Sequence, residues 1–171
     1  MMEGETPTSM MLSFKVKGND SIKLGQQNKA KNIQYYRDAV NHYSVAIGWS
    51  EKVECGDDAE AGKDDVTQGD DAARSFGRAE LEKVQSVLYS NKAMAHTFLK
   101  NWGYVIDDAA KATGLDAKNV KAWYRLAKAR ESRREWSLCL EACEGGLLAD
   151  KENKLLKKLA AKVSSDATKE R

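Results

Sequence analysis

Five polar side chains in this chain have the types and the spacing that binding a carboxylate requires. They are Lys15, Asn19, Asn91, Lys121 and Arg125. The set contains three cations, two amides and no acidic residue. An Asn amide donates hydrogen bonds without adding charge, Lys supplies a point charge, and Arg supplies a planar pair of donors. If these side chains converge, we expect them to bind a free carboxyl terminus together with a further acidic side chain.

Helical spacing places four of these residues in two pairs. Lys15 and Asn19 are four residues apart, as are Lys121 and Arg125, so each pair lies on one face of a helix. We expect Asn91 on an equivalent helix between the two pairs. Convergence of the set therefore requires three neighbouring helices that form one wall.

Two segments of the same pattern recur at a fixed offset and predict that wall. Residues 86–93 read SVLYSNKA and residues 120–127 read VKAWYRLA, with an aromatic residue at the fourth place and Ala at the eighth. The offset between them, 34, is the period typical of the tetratricopeptide repeat, a helix–turn–helix unit that must stack to bury its apolar faces. Since the first helices of successive repeats line a concave groove, the repeat would bring the five side chains together.

The sequence predicts an all-α fold, a right-handed superhelix of three repeats and a C-terminal capping helix, with seven helices and no sheet. The first repeat is less regular, because the offset from Met11 to Ser86 is 75, which exceeds one period by 41. The predicted layout is a flexible N-terminal tail at 1–10 and a repeat domain at 11–163, followed by a tail at 164–171. Within the domain it consists of repeat one at 11–49, an acidic insertion at 50–79, repeat two at 86–119, repeat three at 120–150 and a capping helix at 152–163.

The formal net charge of +2 conceals a segregation of charge along the chain. Residues 51–72 hold nine acidic and two basic residues, a net charge of −7, so the remaining residues carry +9. A basic body suits an acidic partner. The insertion is rich in Gly, Asp and Ala and has little to bury, so we predict a mobile acidic loop there.

Three stretches resemble the carboxylate-clamp repeats of chaperone adaptors: FKVKGN at 14–19, VLYSNK at 87–92 and KAWYR at 121–125. Most of 11–163 is similar to the tetratricopeptide repeat protein 4 family of co-chaperones. That family carries a further C-terminal domain, to which nothing here corresponds, so we expect the chain to be a fragment.

The resemblance implies a ligand and a role for each candidate residue. The ligand would be the C-terminal Glu-Glu-Val-Asp peptide of heat shock protein 90 and/or heat shock protein 70. Lys15, Asn19 and Asn91 would hold the terminal main-chain carboxylate. Lys121 would hold the side chain of the last Asp, and Arg125 would bond further up the peptide.

Other chemistries find less support in the sequence. Cys139 and Cys143 are four residues apart, but no further Cys or His lies at ligand spacing, so core packing is the better interpretation. His42 and His96 lack a neighbouring acid or nucleophile motif and are interpreted as packing or groove-edge residues. Tryptophans beside Lys and Arg are also typical of single-stranded nucleic-acid binding, but Trp123 falls at a repeat core position.

We therefore predict a binding protein rather than an enzyme, with no cofactor and no metal, because no phosphate-binding loop, metal motif or nucleophile–base arrangement is visible. The partners predicted are the heat shock protein 90 and/or 70 peptide and client proteins, with no nucleic acid and no membrane. The chain is expected to be a monomer in the cytoplasm, with the nucleus left open as a second location. Two alternatives stay open: a scaffold for another acidic C-terminal peptide, and the targeting domain of a larger enzyme such as a phosphatase or prolyl isomerase.

Overall fold

Seven α-helices account for most of the chain in a computed structural model that describes residues 6–56 and 76–169. They are α1 (Pro7–Gln27), α2 (Asn32–Ser50), α3 (Arg78–Phe98), α4 (Trp102–Leu115), α5 (Val120–Ser132), α6 (Trp136–Ala149) and α7 (Lys154–Lys169). The prediction of seven helices is confirmed. The short connections between α3 and α7 make each helix antiparallel to the next, which suits stacked helical hairpins.

The odd-numbered helices form one layer of the stack. Each helix packs on the next in the chain, and in addition α1 contacts α3, α3 contacts α5, and α5 contacts α7. Within the described ranges, α2 makes no comparable contact with α4, nor α4 with α6. The odd helices are therefore the more closely spaced layer, which is the arrangement expected of the concave side of a solenoid.

The repeat period is visible in the turns as well as in the helices. Lys100 and Arg134, one period apart, both adopt a left-handed backbone conformation with φ of 58°. Asn119 and Asn153, also one period apart, accept a hydrogen bond from the backbone N–H three residues later, at 3.1 Å in each case. Because α7 begins one period after α5, it lies where the first helix of a further repeat would start.

The core consists of two clusters of buried residues that meet at α3. One cluster joins the α1–α2 hairpin to Phe76, Leu81 and Leu88. The other runs from Ala93 through α4, α5 and α6 to Leu156 on α7. Helix α3 contributes to both clusters and therefore connects the first hairpin to the rest of the stack.

The helix ends differ from the predicted ones for reasons of local capping. Helix α1 begins at Pro7 rather than Met11, because Thr6 and Ser9 bond reciprocally to each other's backbone N–H and Pro is favourable in the first turn. The predicted tail at 1–10 is thus helical from Pro7 onward in the described part. Helix α7 continues through the predicted tail to Lys169, since neither Gly nor Pro follows Val163 to end it.

The acidic insertion is shorter than predicted at its C-terminal side. Helix α3 begins at Arg78, eight residues before Ser86, and Leu81 packs into the first core cluster. Before it, Phe76–Gly77 pairs in parallel with Cys55–Gly56, a two-residue ladder that no sequence pattern indicates. Residues 57–75, which contain most of the predicted mobile loop, lie outside the described residues.

No helix in the part of the chain that the structure describes is long and apolar enough to cross a membrane.

Candidate functional site

Asn19 and Asn91 meet on the wall that α1 and α3 form. The Asn91 Nδ2 group donates to Asn19 Oδ1 at 3.4 Å, and the Tyr43 hydroxyl donates to the same oxygen at 2.8 Å. These two donors fix the orientation of the Asn19 amide, because the reversed amide would place its NH₂ group against that of Asn91. The Asn19 NH₂ group therefore stays available as a donor on the side away from Tyr43.

Tyr43 reaches Asn19 because α1 has a glycine beside it. Tyr43 is fully buried, and a Cβ atom added at Gly18 would lie 2.6 Å from its ring. A larger residue at position 18 would push the ring away from α1. Burial raises the pKa of Tyr43 to about 12, so its hydroxyl stays protonated and donates at neutral pH.

Arg125 lies beside the same group of side chains, held from α3. Its Nη1 donates to the Ser90 hydroxyl and its Nη2 contacts Met94 Sδ at 3.4 Å. Burial lowers the pKa of Arg125 from its ordinary value, and the nearby Tyr43 opposes that shift. The guanidinium nevertheless remains charged at neutral pH, because an Arg side chain does not lose its proton in proteins.

Lys121 lies one turn before Arg125 and shares a cavity of about 310 Å³ with it, here called the Arg125 cavity. The rest of its lining is mostly apolar: Met94, Thr97, Phe98, Val120, Tyr124, Asn153 and Leu155. Lys121 is exposed, so its ammonium group is accessible to a ligand. The cations Lys121 and Arg125 thus line a cavity whose other lining residues are mostly apolar.

Lys15 is the candidate least tied to the others by direct contact. It is half-buried on α1, four residues before Asn19. Within residues 6–56 and 76–169, neither Lys15 nor Lys121 has an ion-pair partner. Direct contacts with Tyr43 or α3 therefore link Asn19, Asn91 and Arg125 to one another. Lys121 is linked to them only through the cavity that it shares with Arg125, and Lys15 only through its helical spacing from Asn19.

Lys92, although adjacent to Asn91, faces away from this site. Its Nζ pairs with Asp108 Oδ1 at 3.1 Å, and Asp108 is a buried residue. Beside them, burial and the charge of Lys92 lower the pKa of His96 to about 4, and its ring stacks on Tyr104 with centroids 5.0 Å apart. His96 is therefore neutral and packed at neutral pH, in agreement with a packing role.

Cys139 and Cys143 belong to the second core cluster, as the core-packing interpretation predicted. Both are fully buried and neither is disulfide-bonded. The hydrogen bond with the Cys139 thiol, together with burial, raises the pKa of the Cys143 thiol, and Cys139 Sγ lies 3.1 Å from the carbonyl oxygen of Ala127. Among the described residues, no group of three or more His, Cys, Asp or Glu side chains is placed to hold a metal ion.

The sequence did not reveal the side chains that orient the candidates. Tyr43, Ser90 and Met94 lie on other helices or on a different turn, and their contacts depend on how the helices pack. Ala39, Tyr43 and Ala46 recur at helical spacing, but spacing alone does not show which polar group the Tyr43 hydroxyl reaches.

Comparison with solved structures decides the fold. The Hsp90 co-chaperone Cns1 from Saccharomyces cerevisiae superposes with a TM-score of 0.67 and 25% identity, over 99% of this chain and 42% of that one. The first repeat domain of Spaghetti (RPAP3), bound to the HSP90 peptide SRMEEVD, gives a TM-score of 0.66 and 19% identity, over 94% and 98% of the two chains. The chain has the tetratricopeptide repeat fold.

Sequence relatives of this tetratricopeptide repeat domain confirm the predicted resemblance. The Hsp70/Hsp90 co-chaperone CNS1 of S. cerevisiae is 30% identical over 74% of the chain, and the tetratricopeptide repeat protein 4 homolog of Dictyostelium discoideum is 25% identical over 87%. The aligned part is 23% of the first protein and 29% of the second, so the chain spans less than a third of either. No family model matches the chain.

Proposed function

We propose that this domain is a co-chaperone adaptor that binds the acidic C-terminal peptide of heat shock protein 90 and/or heat shock protein 70 through a carboxylate clamp. The clamp consists of Lys15, Asn19, Asn91, Lys121 and Arg125. The observation that carries the proposal is the Asn19 amide, whose oxygen is occupied by Tyr43 and Asn91, so that its NH₂ group is left to donate to an anion.

The charges around that amide favour an anionic ligand. Lys15 and Lys121 have no ion-pair partner in the described ranges, and Arg125 contacts only neutral groups there, Ser90 and Met94. A carboxylate that enters the site would supply the missing counter-charge. Charge-assisted hydrogen bonds contribute about 1.5–3 kcal/mol each, so a few of them account for a micromolar complex of about −8 kcal/mol.

The proposed roles follow the resemblance. Lys15, Asn19 and Asn91 bind the terminal main-chain carboxylate, Lys121 binds the side chain of the last Asp, and Arg125 bonds to the peptide upstream. The apolar lining of the Arg125 cavity then receives an apolar ligand side chain, such as the Met that precedes the Glu-Glu-Val-Asp sequence in the peptide bound to Spaghetti. Two similar proteins support the assignment: CNS1 is named as a co-chaperone of Hsp70 and Hsp90, and Spaghetti is bound to an HSP90 peptide.

Calorimetric titration with the peptide Met-Glu-Glu-Val-Asp tests the proposal directly. We expect micromolar binding of the free acid and at least a tenfold loss for the C-terminal amide, because the amide removes the charge that the clamp binds. Lys15→Ala should weaken the free acid about tenfold or more. Affinity should also fall as salt is raised, since the ligand and the clamp carry opposite charges.

Lys17→Ala is the matched control for Lys15→Ala. Lys17 is on the same helix, exposed, and lies over the Phe14 ring at 4.4 Å rather than beside Asn19. It should change the affinity less than twofold, as expected for a surface charge outside the site. Equal binding of the acid and the amide, or equal losses in both lysine variants, would show that the five residues are only a basic helix face.

A further inference from the structure

A second cavity, of about 590 Å³, adjoins the Arg125 cavity at Phe98. We call it the Arg37 cavity. Helix α2 contributes Arg37 and Asn41 to its lining, and the end of α3 with the following turn contributes Phe98, Lys100 and Asn101. Phe98 also lines the Arg125 cavity, so the two cavities share one aromatic wall.

The lining of the Arg37 cavity repeats the chemistry of the clamp. Arg37 and Lys100 supply two cations, Asn41 and Asn101 supply two amides, and the residues that line it include no acid. All four polar residues are exposed, and neither cation is ion-paired in the described part of the chain. The nearby buried acid, Asp108, is already paired with Lys92. The cavity therefore suits a carboxylate, for the same reason that the clamp does.

Phe98 provides a fixed surface between the two cavities. Its side chain is 40% exposed, and its ring stacks on Tyr36 with centroids 4.5 Å apart and planes 13° apart. An extended peptide advances about 3.3 Å per residue, so five residues upstream of the clamp cover roughly 16 Å. Because Phe98 lines both cavities, a ligand that fills the Arg125 cavity and continues over this exposed ring enters the Arg37 cavity.

We propose that the Arg37 cavity binds acidic side chains of the same partner peptide, upstream of the residues held by the clamp. The proposal rests on the proposed function, because the clamp fixes the end of the peptide from which the upstream residues extend. It adds a second point of contact that selects chaperone tails with acidic residues before the terminal sequence. A partner whose upstream residues are neutral would bind through the clamp alone.

Titration of three peptides separates this proposal from the clamp itself. The first is Met-Glu-Glu-Val-Asp. The second extends it upstream by ten residues that include two adjacent Glu residues five and six places before the Met, and the third has Gln at those two places. At low salt we expect the extended acidic peptide to bind about three- to tenfold tighter than the pentapeptide, and the Gln peptide to bind like the pentapeptide.

Two substitutions in the cavity should remove that gain. Arg37→Gln deletes one charge at similar size, and Lys100→Asn deletes the other while keeping a residue that tolerates the left-handed conformation at φ of 58°. Together they should leave the affinity for the pentapeptide unchanged and reduce the extended acidic peptide to the same value. Lys158→Gln, which removes one exposed charge on α7 outside both cavities, should preserve the gain.

Each outcome decides one of the two proposals. Equal affinities for all three peptides, with the pentapeptide bound, would overturn the second site and leave the clamp standing. Binding of only the extended acidic peptide would overturn the clamp, and with it an upstream site that depends on the clamp to fix the end of the peptide. If no peptide binds, both proposals fail.

Discussion

At the scale of single residues, the site depends on how one amide is oriented. In the proposed clamp, Asn19 donates to the ligand only while its oxygen is occupied, and the Tyr43 hydroxyl makes the shorter of the two bonds to that oxygen, at 2.8 Å. Tyr43 does not line the candidate site through its charge or its exposed surface, since it is fully buried. Tyr43 contributes by orienting the Asn19 amide, and this effect on binding can be measured separately from any effect on folding.

Tyr43→Phe is therefore expected to weaken binding without unfolding the domain. Losing one neutral hydrogen bond costs about 0.5–1.5 kcal/mol, which corresponds to about a two- to tenfold loss of affinity for Met-Glu-Glu-Val-Asp. Calorimetry measures the affinity, and circular dichroism checks that the helix content is retained. Tyr104→Phe is the control, because Tyr104 is 63% exposed and stacks on His96 away from the clamp. Equal affinities for the two variants would contradict the positional role.

The candidate residues could be predicted from the sequence, but the side chains that contact and orient them could not. Lys15 and Asn19 follow from helical spacing, and Lys121 and Arg125 from the same spacing in a later repeat. The bond between Tyr43 and Asn19 and the contact of Arg125 with Ser90 both join residues that are far apart in the chain. Such contacts depend on helix packing, which a periodic pattern specifies only in outline.

At the scale of the elements, close packing between helices relies on glycines that face large side chains. On α6, a Cβ atom at Gly145 would lie 2.7 Å from the ring of Trp123, and one at Gly146 would lie 2.5 Å from Leu156. Trp123 is also anchored by its Nε1, which donates to the carbonyl oxygen of Ala117 at 2.9 Å. The ring can therefore move aside only by losing that bond, so the packing of α5 on α6 leaves no room for a side chain at position 145.

Gly145→Ala should lower the free energy of unfolding by about 1–3 kcal/mol, because the added methyl group overpacks the contact with Trp123. The same change at Gly114 on α4 is the matched control, since a Cβ atom there would meet nothing within 4 Å. Gly114→Ala should raise the stability by about 0.5–1 kcal/mol, the usual helical preference of Ala over Gly. Urea denaturation measures both values, and destabilisation by both variants alike would rule out the packing explanation.

Sequence patterns predicted some ends of the helices and strands but not others. The repeat period predicted the start of α5 and the order of the later helices, because apolar periodicity is strong there. The start of α3 at Arg78 was not predicted, since its first eight residues adjoin the acidic insertion and carry no repeat signature. The pairing of Cys55–Gly56 with Phe76–Gly77 joins segments on both sides of the insertion, and no local pattern encodes such a contact.

At the scale of the whole molecule, the candidate site spans the two core clusters. Lys15, Asn19 and Tyr43 belong to the α1–α2 hairpin, whereas Lys121 and Arg125 lie on α5 in the part of the chain packed around the second cluster. Helix α3, which carries Asn91, connects the two. A ligand held by all three helices therefore bonds to both halves of the core at once.

Binding should consequently protect the first hairpin against local opening. When Met-Glu-Glu-Val-Asp is present at about 100 times its dissociation constant, binding raises the free energy of any opening that destroys the site by at most about 2.7 kcal/mol. Amide exchange through such an opening then becomes roughly 100-fold slower. We expect this protection in α1 and α2 as well as in α5, measured by hydrogen–deuterium exchange. The peptide with a C-terminal amide is the control and should give little protection. A gain confined to α5 would contradict binding across both core clusters.

The division of the core has a consequence for what an affinity measurement means in this protein. If the first hairpin separates from α3 for a fraction of the time, the observed dissociation constant equals the intrinsic one divided by the assembled fraction. A substitution deep in that hairpin, such as one that disturbs the packing of Gly18 on Tyr43, would then weaken binding although every group that touches the ligand is still present. Under the proposed function, the measured affinity would then also report how completely the first hairpin packs on the rest of the core, and a bound peptide would hold the two parts together.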